Sequence, residues 1–336
     1  MTGDGAPIIE LAGIHKRFAR PVDAATRIVN LFGGGHRRDR VVHAVDGVDL
    51  AIAKGEVVGL VGESGCGKST LGRIIAGIDR ASAGSVRFRG TDIDHLAEAE
   101  AREWRLKVQM VFQDPFASLN PRYKVKDAIG EAALVHGVVA AGALADYVDD
   151  LMRRVGLDRG YRDRYPHQFS GGQRQRICIA RALAVKPDFL VCDEVVAALD
   201  VSIQAQILNL LMDLKEDLGL TYLFVSHDLG VVEHVSDRVF IMYLGRIVEA
   251  ASTEDLFAAP NHPYTRALLM EIPRLDLRRR DFEPIQGEIP SPLDPPSGCH
   301  FHPRCPHASE RCRRERPILG EIAPGRLSAC HLNDPA

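Results

Sequence analysis

The sequence predicts an α/β fold with a parallel sheet at its core, and three observations predict it. A short apolar strand runs straight into a glycine-rich loop and then a helix: Val57, Val58, Leu60 and Val61, then Gly62-Glu63-Ser64-Gly65-Cys66-Gly67-Lys68-Ser69, then Leu71, Ile74 and Ile75. Two further apolar runs, 189–192 and 221–225, each stop at polar residues, Asp193-Glu194 and Ser226-His227. Between the strands lie stretches of helical periodicity, and strands alternating with helices imply a parallel sheet.

Composition narrows the class. The 336 residues allow one large domain and a smaller one. Hydrophobic residues make up 46% and charged residues 26%, the balance of a soluble globular chain. A net charge of −3 argues against a nucleic-acid binder held by bulk charge. No apolar run is long enough to span a bilayer, and the opening MTGDGAPIIE lacks the basic and apolar regions of a signal peptide, so the expected location is the cytosol. In that reducing compartment the seven cysteines are not expected to form structural disulfides.

The elements follow in order. Residues 8–11 read as a first strand, with Phe18 after it, and residues 19–40 as an irregular insertion whose basic run (Arg37, Arg38, Arg40) is a solvated loop. The alternation Val45, Val48, Leu50, Ile52 makes 41–52 a strand leading to the loop strand. Residues 84–88 form another, and Met110, Val111 and Phe112 end in Gln113. From Asp114 to about Val185 the texture is helical. Leu144, Val148, Leu151, Met152 and Val155 share one helix face, which reads as core packing. Ser170 caps a helix from Gly171 to about Ala184. Residues 239–243 and 246–249 flank Leu244-Gly245 as a hairpin. Thirteen of the 19 prolines lie after residue 250, so that tail is expected to be loop-rich, with little regular structure.

The chemistry begins at Gly62–Ser69, which matches G-x-x-x-x-G-K-[ST], a phosphate-binding loop. Glycines let the backbone turn its N–H groups toward one anion. Lys68 supplies a point charge for β- and γ-phosphates, the Ser69 hydroxyl is a hard ligand for Mg²⁺, and the following helix aims its positive end at the same phosphates.

Further motifs stand in a fixed order: Gln113 in VFQDP, Ser170-Gly171-Gly172-Gln173 in FSGGQRQR, Asp193-Glu194 in FLVCDE, Asp200 in AALD and His227 in VSHD. With the phosphate loop they resemble the ATP-binding subunit of an ABC transporter over residues 8–250. The resemblance implies a P-loop ABC ATPase domain at 1–250, with a parallel-sheet core, an antiparallel β part and a helical subdomain at about 114–185. It implies ATP and Mg²⁺ as cofactors. Gly62, Ser64, Gly65, Cys66, Gly67, Lys68, Ser69 and Thr70 would cradle the phosphates. Phe18 would stack on adenine. Asp193, with Ser69 and Gln113, would hold Mg²⁺. Glu194 would polarise the attacking water, His227 would contact the γ-phosphate, and Gln113 would report it to the membrane subunits. The segment from Ser170 to Gln173 would face a nucleotide held by an opposite protomer, so the chain would need a second ATPase, a heterodimer being favoured over a homodimer. Two positions depart from the family pattern. Val195 stands where proline usually follows the glutamate, and Ala197 where serine usually precedes the Ala-Leu-Asp.

The tail narrows the resemblance. NHPYTRAL (261–268) and PSPLDPPSGCHFHPRCPHASERC are similar to the C-terminal extension of importers of the oligopeptide/dipeptide group. That implies an ATPase at the cytoplasmic face of the inner membrane, bound peripherally to two permease subunits, with an extracytoplasmic peptide-binding protein in the full system and no nucleic acid. The same machinery in relatives imports nickel or other small solutes, and a soluble regulatory ABC ATPase is the reading from another class. Cys299, Cys305, Cys312 and Cys330 lie in the extension, residues 251–336, at C-x₅-C-x₆-C-x₁₇-C. This is neither the paired spacing of a zinc ribbon nor a ferredoxin run, so spacing names no metal. The resemblance implies a [4Fe–4S] cluster on the four cysteines, with zinc or unligated thiols as alternatives. His300, His302 and His307 read as polar loop residues.

Overall fold

The computed structural model describes residues 6–20, 40–270 and 287–334. Two sheets carry the chain. The smaller is antiparallel, in the order β2-β1-β4-β5, from β1 (Pro7–Arg20), β2 (Arg40–Ala53), β4 (Ala83–Phe88) and β5 (Thr91–Asp92). The larger has eight strands in the order β11-β12-β10-β9-β3-β8-β7-β6. In it β6 (Val108–Val111), β7 (Phe189–Asp193), β8 (Thr221–Ser226), β3 (Val57–Val61) and β9 (Arg238–Tyr243) run parallel. Then β10 (Arg246–Ser252), β12 (Arg326–Ser328) and β11 (Gly320–Ala323) continue antiparallel.

The central strand shows why the sheet is buried on both faces. All five residues of β3 are buried. Val57 and Val61 join the core under the helices, while Val58 and Leu60 join the core between the two sheets. That is the period-two alternation of a strand covered twice, and it produces an unbroken apolar run in the sequence. The helix Lys68–Ile75 lies in the second core through Leu71, Ile74 and Ile75, beside Ile9, Ile14, Val48 and Ile52 of the smaller sheet.

A helical layer covers the other face. Its helices are Pro115–Ser118, Val125–Val135, Leu144–Arg154 and Gly171–Leu183. The face predicted as core packing is buried at Val148, Leu151, Met152 and Val155, with Leu144 partly buried, against Ile129, Ala133 and Ile177. The helices Glu98–Lys107, Val201–Leu218 and Leu229–Val235 complete the α/β alternation. No helix among the described residues is long and apolar enough to cross a membrane.

Three expectations change. The first strand does not end at Leu11. It continues through Phe18 to Arg20, paired along its length with β2, so residues 19, 20 and 40 belong to strands. The rest of the expected insertion, with Arg37 and Arg38, lies outside the described residues. The tail also has more regular structure than its prolines suggest. It forms the helices Thr253–Ala258, Pro263–Met270 and Glu310–Arg314, and its strand β12 pairs with β10 through Glu249 opposite Ser328. Pro263 is compatible with this because it opens its helix, where the missing N–H costs nothing. Finally, His300 is buried, at 6% exposure, with Nδ1 3.2 Å from the Leu244 carbonyl oxygen.

Candidate nucleotide and cysteine sites

Four neighbouring parallel strands end at one edge of the large sheet, and the predicted residues follow them. Val61 at the end of β3 is level with Ser226 of β8, Val225 is level with Asp193 of β7, and Cys192 is level with Val111 of β6. The phosphate loop, His227, Asp193-Glu194 and Gln113 therefore emerge side by side, at the carboxyl ends of parallel strands where α/β sheets bind ligands.

The side chains meet as this register requires. The Ser69 hydroxyl donates to Asp193 Oδ1 at 2.8 Å, bringing two hard oxygen ligands together, a donor pair that suits Mg²⁺. Burial raises the Asp193 pKa, the Ser69 bond lowers it, and the neighbouring Glu194 charge raises it; the net shift is upward. A cation at this position would reverse that balance. Beside it, Gln113 Nε2 donates to Glu194 Oε2 at 2.8 Å, and His227 Nδ1 stands 3.3 Å from Glu194 Oε1. Both oxygens of Glu194 are thus held. Its backbone has φ 47°, the left-handed region, which costs a non-glycine residue about 1–2 kcal/mol. Its N–H donates to the Val225 carbonyl and its own carbonyl accepts from Ala197 N–H, so the turn is fixed at both ends. Val195, the first departure from the family pattern, is 2% exposed and packs in the helical core, while Ala197 is exposed.

The loop itself is backed by the β9–β10 hairpin. Lys68, 4% exposed, donates from Nζ to the carbonyl oxygens of Gly62 and Glu63 at 2.7 and 3.0 Å. Cys66 is buried with Sγ 3.9 Å from the same ammonium, and burial pushes its thiol pKa up. Its carbonyl accepts from Gly245 N–H, a contact nothing in the spacing announces. Ser64, Gly65 and Ser69 are exposed, and Gly67 and Thr70 half-buried.

The remaining candidates stand apart from this edge. Ser170 caps its helix by a reciprocal pair, its Oγ accepting from Gln173 N–H and its own N–H donating to Gln173 Oε1. Ser170 is exposed, Gly171 half-buried, and Gly172 buried against Ile203. Among the described residues, the hydrogen bonds of the Ser170 side chain stay within this cap. Phe18 stands opposite Val42, 41% exposed, with Lys16 Nζ 4.8 Å from its ring centre.

The four tail cysteines are free thiols, and they line one small space with Phe301 and Leu332 among the other walls. Burial and then the neighbouring thiols push Cys299 up to about 11, and burial raises Cys305 and Cys330. No group of three or more His, Cys, Asp or Glu among the described residues is arranged to hold a metal ion. His302 Nδ1 is engaged with the Cys299 carbonyl and His331 with Glu315 and Asp334.

Comparison with known proteins agrees with the geometry. The family model described as ABC transporter matches residues 45–197, and that described as oligopeptide/dipeptide transporter, C-terminal region, matches 248–312. A putative oligopeptide transport ATP-binding protein of Bacillus subtilis is 51% identical over 88% of this chain and 91% of its own length. A dipeptide transport ATP-binding protein of Haemophilus influenzae is 49% identical over 97% of each chain. Among solved structures, a subunit of the cbiONQ ABC transporter of Clostridium perfringens has a TM-score of 0.61 at 28% identity, covering 76% of this chain and 92% of its own. A dimeric ATP-binding cassette bound to ADP and phosphate has 0.62 at 26%, covering 73% and 98%.

The loop geometry separates two glycines. A Cβ on Gly62 would lie 2.1 Å from the Met242 carbonyl oxygen and 2.8 Å from Cys66 Sγ, whereas one on Gly65, at φ 78°, would meet nothing. Gly62→Ala should cost about 3 kcal/mol, since a strand carbonyl must move, and Gly65→Ala about 1 kcal/mol of backbone strain. Thermal melts of both variants check this, and equal losses would show that the hairpin does not back the loop as described.

Proposed function

Because the chain belongs to the ABC transporter ATP-binding subunits that carry the oligopeptide/dipeptide C-terminal region, we propose that it hydrolyses ATP to power peptide uptake through a membrane permease. The observation that carries the reading is the Ser69–Asp193 pair beside a Glu194 held between Gln113 and His227. In this reading Ser69, Asp193 and Gln113 hold Mg²⁺, and Lys68 with the loop cradles the β- and γ-phosphates. Phe18 stacks on adenine. Glu194 accepts the proton of the attacking water, His227 orients the γ-phosphate, and Gln113 passes its state to the permease. The exposed cap at Ser170, with Gly171, Gly172 and Gln173, completes the nucleotide site of a second ATPase. The left-handed turn at Glu194, followed by Val195 and Ala197 in place of the family's proline and serine, favours a non-identical partner in which the two sites differ.

The domain division follows function: residues 1–250 bind nucleotide and 251–336 form the peptide-importer extension. The protein sits peripherally on the cytoplasmic face of the membrane, bound to two permease subunits, with an extracytoplasmic peptide-binding protein completing the system. The four cysteines hold a [4Fe–4S] cluster. Support comes from four free thiols around one space whose other walls include histidines but no carboxylate, a donor set suited to iron–sulfur chemistry.

Glu194→Gln should retain ATP binding and lower turnover at its site by about 10²–10⁴, measured as steady-state ATPase of the assembled transporter; an unchanged rate would remove Glu194 from the role of base. For the tail, the full chain purified without oxygen should contain iron and acid-labile sulfide and absorb visible light, and Cys312→Ser should lose both. A colourless wild-type protein without iron would end the cluster assignment.

A further inference from the structure

Among the described residues, the C-terminal extension hydrogen-bonds the phosphate loop at Glu63, and grips it from two sides. Arg304, on the turn His302–Arg304, donates from its two terminal nitrogens to the two Glu63 carboxylate oxygens at 2.7 and 2.9 Å. Its side chain is only 5% exposed. Tyr264, on the helix Pro263–Met270, accepts the Glu63 backbone N–H on its hydroxyl at 3.0 Å. On the loop side, the Glu63 carbonyl accepts from Lys68 Nζ at 3.0 Å and from Cys66 N–H at 3.3 Å. Every polar group of Glu63 is therefore engaged, two by the tail and one by the loop's own lysine and amide. A forked, buried guanidinium–carboxylate pair fixes direction as well as distance.

The grip has a rigid base. Tyr264 packs on Tyr243 with ring centres 4.7 Å apart, and Phe301 lies 5.3 and 5.4 Å from these two rings. The turn that carries Arg304 is flanked by Cys299 and Cys305, and Cys299 N–H bonds the Cys312 carbonyl at 2.9 Å. The cysteine-lined space and the phosphate loop thus lie at opposite ends of one short, packed connection.

We propose that Arg304 is a positioning residue for the phosphate loop. The docked tail holds Glu63, and through it Lys68 and the curl of the loop, in the arrangement that accepts a nucleoside triphosphate. The inference rests on the reading of Gly62–Ser69 as a nucleotide site and adds that the tail sets the affinity of that site. Such coupling is reciprocal: nucleotide in the loop tightens the hold on the tail, and a loosened tail weakens nucleotide binding.

The test is equilibrium binding of a fluorescent ATP analogue to the full-length chain, with protease resistance of the tail measured in parallel. Arg304→Met should weaken nucleotide binding roughly 5- to 100-fold. Arg304→Lys, which keeps the charge and loses the fork, should recover part of the loss. Tyr264→Phe preserves the ring packing and removes only the acceptor, and should weaken binding in the same direction by less. Nucleotide should slow tail proteolysis in the wild type and not in Arg304→Met. Should Arg304→Met misfold, Glu63→Gln and Tyr264→Phe carry the same expectation. Wild-type affinity in Tyr264→Phe together with either Arg304→Met or Glu63→Gln would reduce the contact to a tail anchor and overturn the inference. A wild-type chain that binds no nucleotide would instead contradict the functional reading itself.

Discussion

The register of four parallel strands is the constraint on which the site depends. Because β3, β8, β7 and β6 are aligned so that their carboxyl ends fall together, four short segments far apart in sequence deliver the loop, the histidine, the two carboxylates and the glutamine to one edge. A slip of one residue in β7 would turn Asp193 from Ser69 and drive each of its buried neighbours into the opposite core, since side chains alternate faces. The cost of a slip in a strand buried on both sides is what makes the site's geometry a property of the core. The bond from Ser69 to Asp193 and the two partners of Glu194 are consequences of that alignment.

The second support is the tail, and it works from behind. The hairpin of β9 and β10 carries part of the loop's back wall, through the Met242 carbonyl that crowds Gly62 and through Gly245, and β2 adds the Ala44 carbonyl that crowds Gly67. The tail extends the same sheet through β12 and fills the far side of the hairpin with Tyr264 and Phe301. The extension is therefore continuous with the sheet that positions the nucleotide residues, and the nucleotide loop is clamped between two parts of the chain.

Much of this was legible in sequence because local pattern and local chemistry coincide. The strand before the loop, the helix after it and the acid pair closing an apolar run each occupy a few consecutive residues, and each lies where it was read. What was not legible depends on distant pairing. The length of β1 is set by its partner β2, so the polar stretch from His15 to Phe18 reads as lying beyond a strand that ends at Leu11, while the structure keeps it paired. The tail's strands are short, and β12 has its place only because β10 offers an edge. The burial of His300 follows from the Leu244 turn it packs against, 56 positions away. No spacing rule links Glu63 to Arg304, since 241 positions separate them. By contrast, the cap at Ser170 was readable because its partner, Gln173, is three residues on.

That cap also defines the central claim, that this chain supplies two half-sites rather than one whole site. The strand edge holds the loop and the carboxylates, while Ser170 is exposed on a separate helix whose cap bonds are internal. The most direct measurement is site-resolved nucleotide trapping in the assembled transporter, with each nucleotide located by crosslinking. Lys68→Ala should empty the site on its own chain, and Ser170→Arg should abolish trapping at the site on the partner chain while its own remains filled. Both defects falling on the same nucleotide would contradict the account.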